Sequence, residues 1–138
     1  MAYHHTLLII SDIPEQCAKI SDFFTPNRFH IHVSKSVREA MQILRDHAID
    51  LLIAHCATMG EDAMDCIQRI RRNHPDIGII IITPSPSEFP LTNALDAGAD
   101  GSINEPVTKQ NLSLLLQRSY WEALNRQDWW KSYYNTSL

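Results

Sequence analysis

The sequence predicts an α/β protein: a doubly wound (βα)5 sandwich around a five-stranded parallel sheet of order 2-1-3-4-5, with an extended C-terminal helix. Three observations predict it. Short apolar runs rich in isoleucine and leucine take turns with longer stretches of helical spacing, the pattern of βαβ units. The runs at 7 to 10, 51 to 54 and 79 to 82 are apolar at consecutive positions, as parallel strands covered on both faces must be. A chain of 138 residues, 44% hydrophobic and 20% charged, is large enough for one core without disulfide or metal staples.

Taken in order, the predicted strands are 6 to 10, 29 to 33, 50 to 54, 77 to 83 and 100 to 103. Asp12-Ile13-Pro14 opens the first helix, in which Cys17, Ile20, Phe23 and Phe24 recur at helical spacing. Ser34 or Ser36 caps the second, where Val37, Ala40, Met41 and Leu44 form the stripe. The third carries Met64, Ile67 and Ile70 or Arg71 and ends at Asn73-His74-Pro75-Asp76. Right-handed crossovers then give the flavodoxin-like strand order. Residues 1–118 form the domain, and 119–138 continue the fifth helix into an aromatic tail that links to an output domain or meets a partner.

Composition narrows the function. A formal net charge of −4 leaves no cationic surplus for a phosphate backbone or an anionic membrane, so nucleic-acid binding by this segment is not expected. No apolar run is long enough to span a bilayer, and the N-terminal run has neither the cationic start nor the cleavage site of a signal peptide. Cys17, Cys56 and Cys66 include no CxxC pair, which fits buried reduced thiols in the cytoplasm. The histidines at 4, 5, 30, 32, 47 and 74 have no metal-ligand spacing on the predicted elements.

In an open parallel sheet the functional crevice lies at the carboxyl ends of the strands. The residues there are Ser11-Asp12, His55, Thr83-Pro84 and Asn104-Glu105-Pro106. With LLIISD, DLLIAHCATMGEDAMDCIQRIR, IIIIT and ALDAGADGSINEP in that order, the chain from Leu7 to about Arg118 resembles the receiver domain of bacterial two-component response regulators. The resemblance implies an acidic pair for magnesium, an acceptor aspartate, a hydroxyl residue and a lysine before a cis-proline. Residue by residue, the acidic pair falls on Ser11 and Asp12, the acceptor on His55, the hydroxyl on Thr83 and the lysine on Glu105. The aromatic that reports phosphorylation falls on Ser102, and Pro106 matches the cis-proline.

Only Asp12 and Thr83 keep their family identities, so the resemblance implies a receiver without its phosphoacceptor. A hard cation needs several oxygen ligands, and Asp12 is at most a weak remnant, so magnesium binding is expected to be weak or absent and no cofactor is expected. Glu105 adds negative charge where a phosphoryl group would arrive. His55 is expected to pair with Asp12 or Glu105; phosphoryl acceptance and pH sensing by its ring are the sharper alternatives. A metal site from His55, Cys56 and Asp12 is disfavoured because neighbours on a strand point to opposite faces. The expected function is that of a phosphorylation-independent protein-interaction module, not an enzyme. The alternatives are a small-ligand binder using the same crevice, opposed by the lack of a glycine-rich phosphate loop, and a receiver phosphorylated at a non-standard acid such as Asp62.

Partners are expected to be a protein or the chain's own output domain. The resemblance also suggests a homodimer through the fourth helix, fifth strand and fifth helix. Trp129, Trp130, Tyr133 and Tyr134 are left over from the helical stripe and with Trp121 suggest a contact surface, the alternative being that the terminal aromatics fold back on the domain. Pro84, Pro86 and Pro90 are expected to stiffen the loop into the fourth helix.

Overall fold

A computed structural model of the chain describes residues 5–24, 29–84 and 90–118. The strands are β1 (His5–Ile10), β2 (Phe29–Ser34), β3 (Leu51–His55), β4 (Gly78–Thr83) and β5 (Gly101–Asn104). The helices between and after them are α1 (Pro14–Phe24), α2 (Val37–Asp46), α3 (Ala63–Asn73), α4 (Leu91–Ala97) and α5 (Lys109–Arg118). All strand pairs are parallel and the order is β2-β1-β3-β4-β5, as the sequence predicts. The expected continuation over 119–138, with Trp121, Trp129, Trp130, Tyr133 and Tyr134, lies outside the described residues, as does the loop at 85–89.

The consecutive apolar positions divide between two half-cores. Leu7, Ile9, Leu51, Ile53, Ile80 and Ile82 face Ile20 and Phe24 of α1 and Leu112 of α5. Their neighbours Leu8, Ile10, Leu52, Ala54, Ile79 and Ile81 face Ala40 and Leu44 of α2, Ile67 and Ile70 of α3, and Ala94 of α4. Each buried leucine or isoleucine contributes about 1.5–3 kcal/mol over leaving it in water, so burial on both faces is what holds the strands parallel and central.

Of the two candidate caps for α2, Ser36 is the one that acts, its Oγ accepting the Glu39 amide at 3.2 Å. Ser34 ends β2, and its carbonyl accepts the Ser11 amide at 3.0 Å. The passage from β3 to α3 is less direct than the sequence predicts. A single helical turn, Cys56–Met59, and a 3-10 turn, Gly60–Asp62, stand between them. Cys56 and Met59 are apolar anchors that draw this turn onto the core.

Arg71, read from sequence as a possible stripe residue, uses its head group to tie the far ends of the strands. Its Nε donates to Gly98 O at 2.9 Å, its Nη1 to Ile77 O at 2.7 Å, and its Nη2 to Asp100 Oδ2 at 2.9 Å. Asp100 in turn accepts the Ile79 amide at 2.8 Å. Gly98 has φ of 117°, and a Cβ there would come within 2.9 Å of the Arg71 side chain. Arg71→Met should therefore lower the unfolding free energy by about 2–4 kcal/mol, because it strands the Asp100 carboxylate and two carbonyls. Urea unfolding checks this; a change within error would show that Asp100 and these carbonyls find water instead.

Candidate functional site

The carboxyl ends of β1, β3, β4 and β5 bring the sequence-predicted residues to one cleft. β3 runs through four apolar residues and ends on His55, whose side chain is 6% exposed. Thr83 ends β4 and is buried. Glu105 follows β5, and its amide donates to Thr83 O at 2.8 Å, which fixes where its side chain begins. The Glu105–Pro106 peptide is cis, as expected. Ser11 is buried and Asp12 is exposed. Ser102 sits half-buried within β5, and Asp62 is exposed at the end of the 3-10 turn.

His55 reaches across the end of β4, its Nε2 lying 2.6 Å from Glu105 Oε1. Of the two partners expected for His55, Glu105 is the direct one. The link to Asp12 runs through a residue that sequence reasoning missed. Thr58, in the turn after β3, has its Oγ1 3.3 Å from His55 Nδ1 and donates to Asp12 Oδ1 at 3.1 Å. It also accepts the Asp12 amide at 3.3 Å. The Thr58 hydroxyl has one proton, and it is directed at Asp12, so Thr58 meets His55 as an acceptor. The ring is thereby held at both nitrogens, Nδ1 by the Thr58 hydroxyl and Nε2 by the Glu105 carboxylate.

Ser11 is turned away from this network. Its hydroxyl donates to Gln16 Oε1 at 2.9 Å and accepts the Ile13 amide at 3.2 Å. Gln16 is buried within α1, and its only sequence signal was a polar residue one turn ahead of Ile20. Cys17 lies beside the same carbonyl end; burial, and secondarily the Asp12 carboxylate, pushes its thiol up. Burial likewise raises Cys66, so both stay neutral thiols, in keeping with the structural role expected of them. Cys56 packs in the core rather than beside His55, and among the described residues no group of three histidine, cysteine or carboxylate side chains is assembled to hold a metal.

A family model of the response regulator receiver domain matches residues 7–117. The TorCAD operon transcriptional regulatory protein TorR of Escherichia coli K12 is 22% identical over 117 residues, 85% of this chain and 50% of that protein. The transcriptional regulatory protein ZraR of the same organism is 21% identical over 113 residues, 82% of this chain and 26% of that protein. This chain thus spans half or less of these curated relatives. Among solved structures, a two-component response regulator from Clostridium difficile superposes with a TM-score of 0.77 at 20% identity, covering 91% of this chain and 99% of that one. A response regulator from Thermotoga maritima gives 0.75 at 21% identity, covering 88% and 98%. Among the described residues no helix is long and apolar enough to cross a membrane.

The network makes a quantitative expectation. A double-mutant cycle on His55→Ala and Glu105→Ala, read by urea unfolding, should return a coupling of about 1–3 kcal/mol, as for a short, partly buried hydrogen bond. Thr58→Val should cost about 1 kcal/mol by the same measurement. A coupling of zero would mean that solvent replaces Glu105 at no loss.

Proposed function

The chain belongs to the response regulator receiver domain family, and from that premise we propose that it is a pseudo-receiver: a protein-interaction module whose state does not depend on phosphorylation. One observation carries the reading. His55 and Glu105, at the acceptor and lysine positions, are bonded to each other at 2.6 Å. The family arrangement puts an acid on β3 and a base after β5; here the base is on β3 and the acid after β5. The tie between strand ends is kept while the charges are exchanged, so a carboxylate stands where positive charge would be needed to receive a phosphoryl group.

Two further contacts support it. The Ser11 hydroxyl is committed to Gln16, and Asp12 Oδ1 accepts from Thr58. The oxygen donors left at the strand ends do not suit magnesium, which asks for near-octahedral oxygen coordination. Transfer to the His55 ring is opposed as well, since a nucleophilic imidazole needs a free nitrogen lone pair and both of its nitrogens are engaged. Ser102 in place of the aromatic removes the side chain that would carry a phosphorylation signal along β5.

What remains is surface. Leu91 and Leu95, one turn apart on α4, and Leu114 on α5 are large apolar side chains left 47%, 46% and 43% exposed. They favour contact through α4, β5 and α5, with a second copy, an output domain or another protein as occupant. This reading makes the chain a non-enzymatic, cytoplasmic signalling component of which 1–118 is the receiver and 119–138 leads onward. No cofactor and no nucleic-acid contact by this segment are part of it.

The experiment is restoration. The triple variant S11D, H55D and E105K, incubated with acetyl phosphate and magnesium, should gain the mass of one phosphoryl group, and the unmodified chain under the same conditions should gain none. Labelling of the unmodified chain, at Asp62 or elsewhere, would overturn the proposal.

A further inference from the structure

Away from the His55 cleft, at the edge of the sheet, three histidines that are separated in sequence come together. β2 is an edge strand, and His30 and His32, two residues apart, share its α2 face while Phe29 and Ile31 take the other. His47 caps α2, its amide donating to Ile43 O at 2.9 Å. The His30 and His32 rings are edge to face with centroids 4.6 Å apart, and those of His32 and His47 are 4.5 Å apart. His32 is the middle member, and its Nε2 is buried with no hydrogen-bond partner among the described residues.

We propose that His30, His32 and His47 form an acid-sensitive latch that holds the end of α2 against edge strand β2 at neutral pH and releases it as the pH falls. The neutral rings pack on one another as aromatic bodies. A proton on His32 Nε2 would be a buried donor without an acceptor, and its charge would stand between two further imidazoles. The other groups around it offer no compensation. Leu8 of β1 lies opposite His32 in register, and Ala40 and Leu44 of α2 cover the same face. Arg45 and Asp46 in the last turn of α2 are exposed, as are Arg38 and Glu39 near its start. Asp50 is held by the Thr6 amide at 2.8 Å and lies 3.9 Å from His5.

Burial first, then the neighbouring His30 and His47, hold His32 below the ordinary histidine value of 6.5. The folded latch therefore binds protons more weakly than the released one. Its stability is fully present above about 6.5, the unfolded value, and is lost as pH falls from there to the folded value, below which the loss is constant. Release of α2 would bare the α2 side of β2 and its partner β1 without touching His55.

The test follows histidine ring and backbone amide signals of the full chain by NMR from neutral pH downward. His32 should titrate below 6.5. Exchange of the α2 amides, corrected for its intrinsic pH dependence, should speed up by as much as about tenfold per pH unit in that window, while β3 amides stay protected. His32→Leu should abolish the acceleration. His47→Gln, at an exposed position that the fold tolerates if His32→Leu does not fold, should raise the His32 midpoint and shrink the acceleration. A His32 midpoint at or above 6.5, an acceleration spread equally over the sheet, or one unchanged in His47→Gln would overturn the proposal.

Discussion

A parallel sheet covered by helices on both faces leaves no room for a polar side chain along the middle of its central strands. Leu7 to Ile10, Leu51 to Ala54 and Ile79 to Ile82 are all buried, each residue committed to one half-core or the other. In β3 and β4, which are covered on both faces, polar groups collect where the strands stop, so His55, Thr83 and Glu105 meet because β3, β4 and β5 end together. The His55 to Glu105 contact is thus a consequence of the hydrophobic sheet, and it ties the ends of β3 and β5 across β4.

That contact also explains why the side chains at the strand ends belong together. Without Glu105 the buried His55 ring would lose its partner at Nε2, and without His55 the Glu105 carboxylate would lose its bond at the strand end. Each makes the other tolerable. Ser11 turns to Gln16, and Asp12 takes its hydrogen bond from Thr58. The interior of the site is self-satisfied, in the sense that each of these polar groups finds its partner within the chain.

The fold was legible because strand burial on two faces and helical stripes leave direct marks in a sequence. The run from Leu7 to Ile10 alternates between half-cores, and Ala40 and Leu44 recur one turn apart. The site's outline was legible because strand ends are where the topology puts chemistry. Thr58 was not, because it acts from a helical turn that Cys56 and Met59 stabilise by packing, and packing of so short a turn has no periodic signature. Gln16 and Arg71 were missed for a related reason: each looks like a position in a helical stripe, and its partners, Ser11 in one case and Gly98 and Asp100 in the other, are set by tertiary approach. The same holds for His32 and His47, which are separated by the whole of α2 in the sequence and adjacent in space.

The central claim is that this receiver fold is closed on itself at the strand ends, and the amide spectrum of the unmodified chain with and without magnesium and beryllium fluoride tests it most directly. The account predicts that His55, Thr58, Thr83 and Glu105 do not shift. A saturable shift confined to those residues would mean that a phosphoryl mimic still finds a site there, and would contradict it.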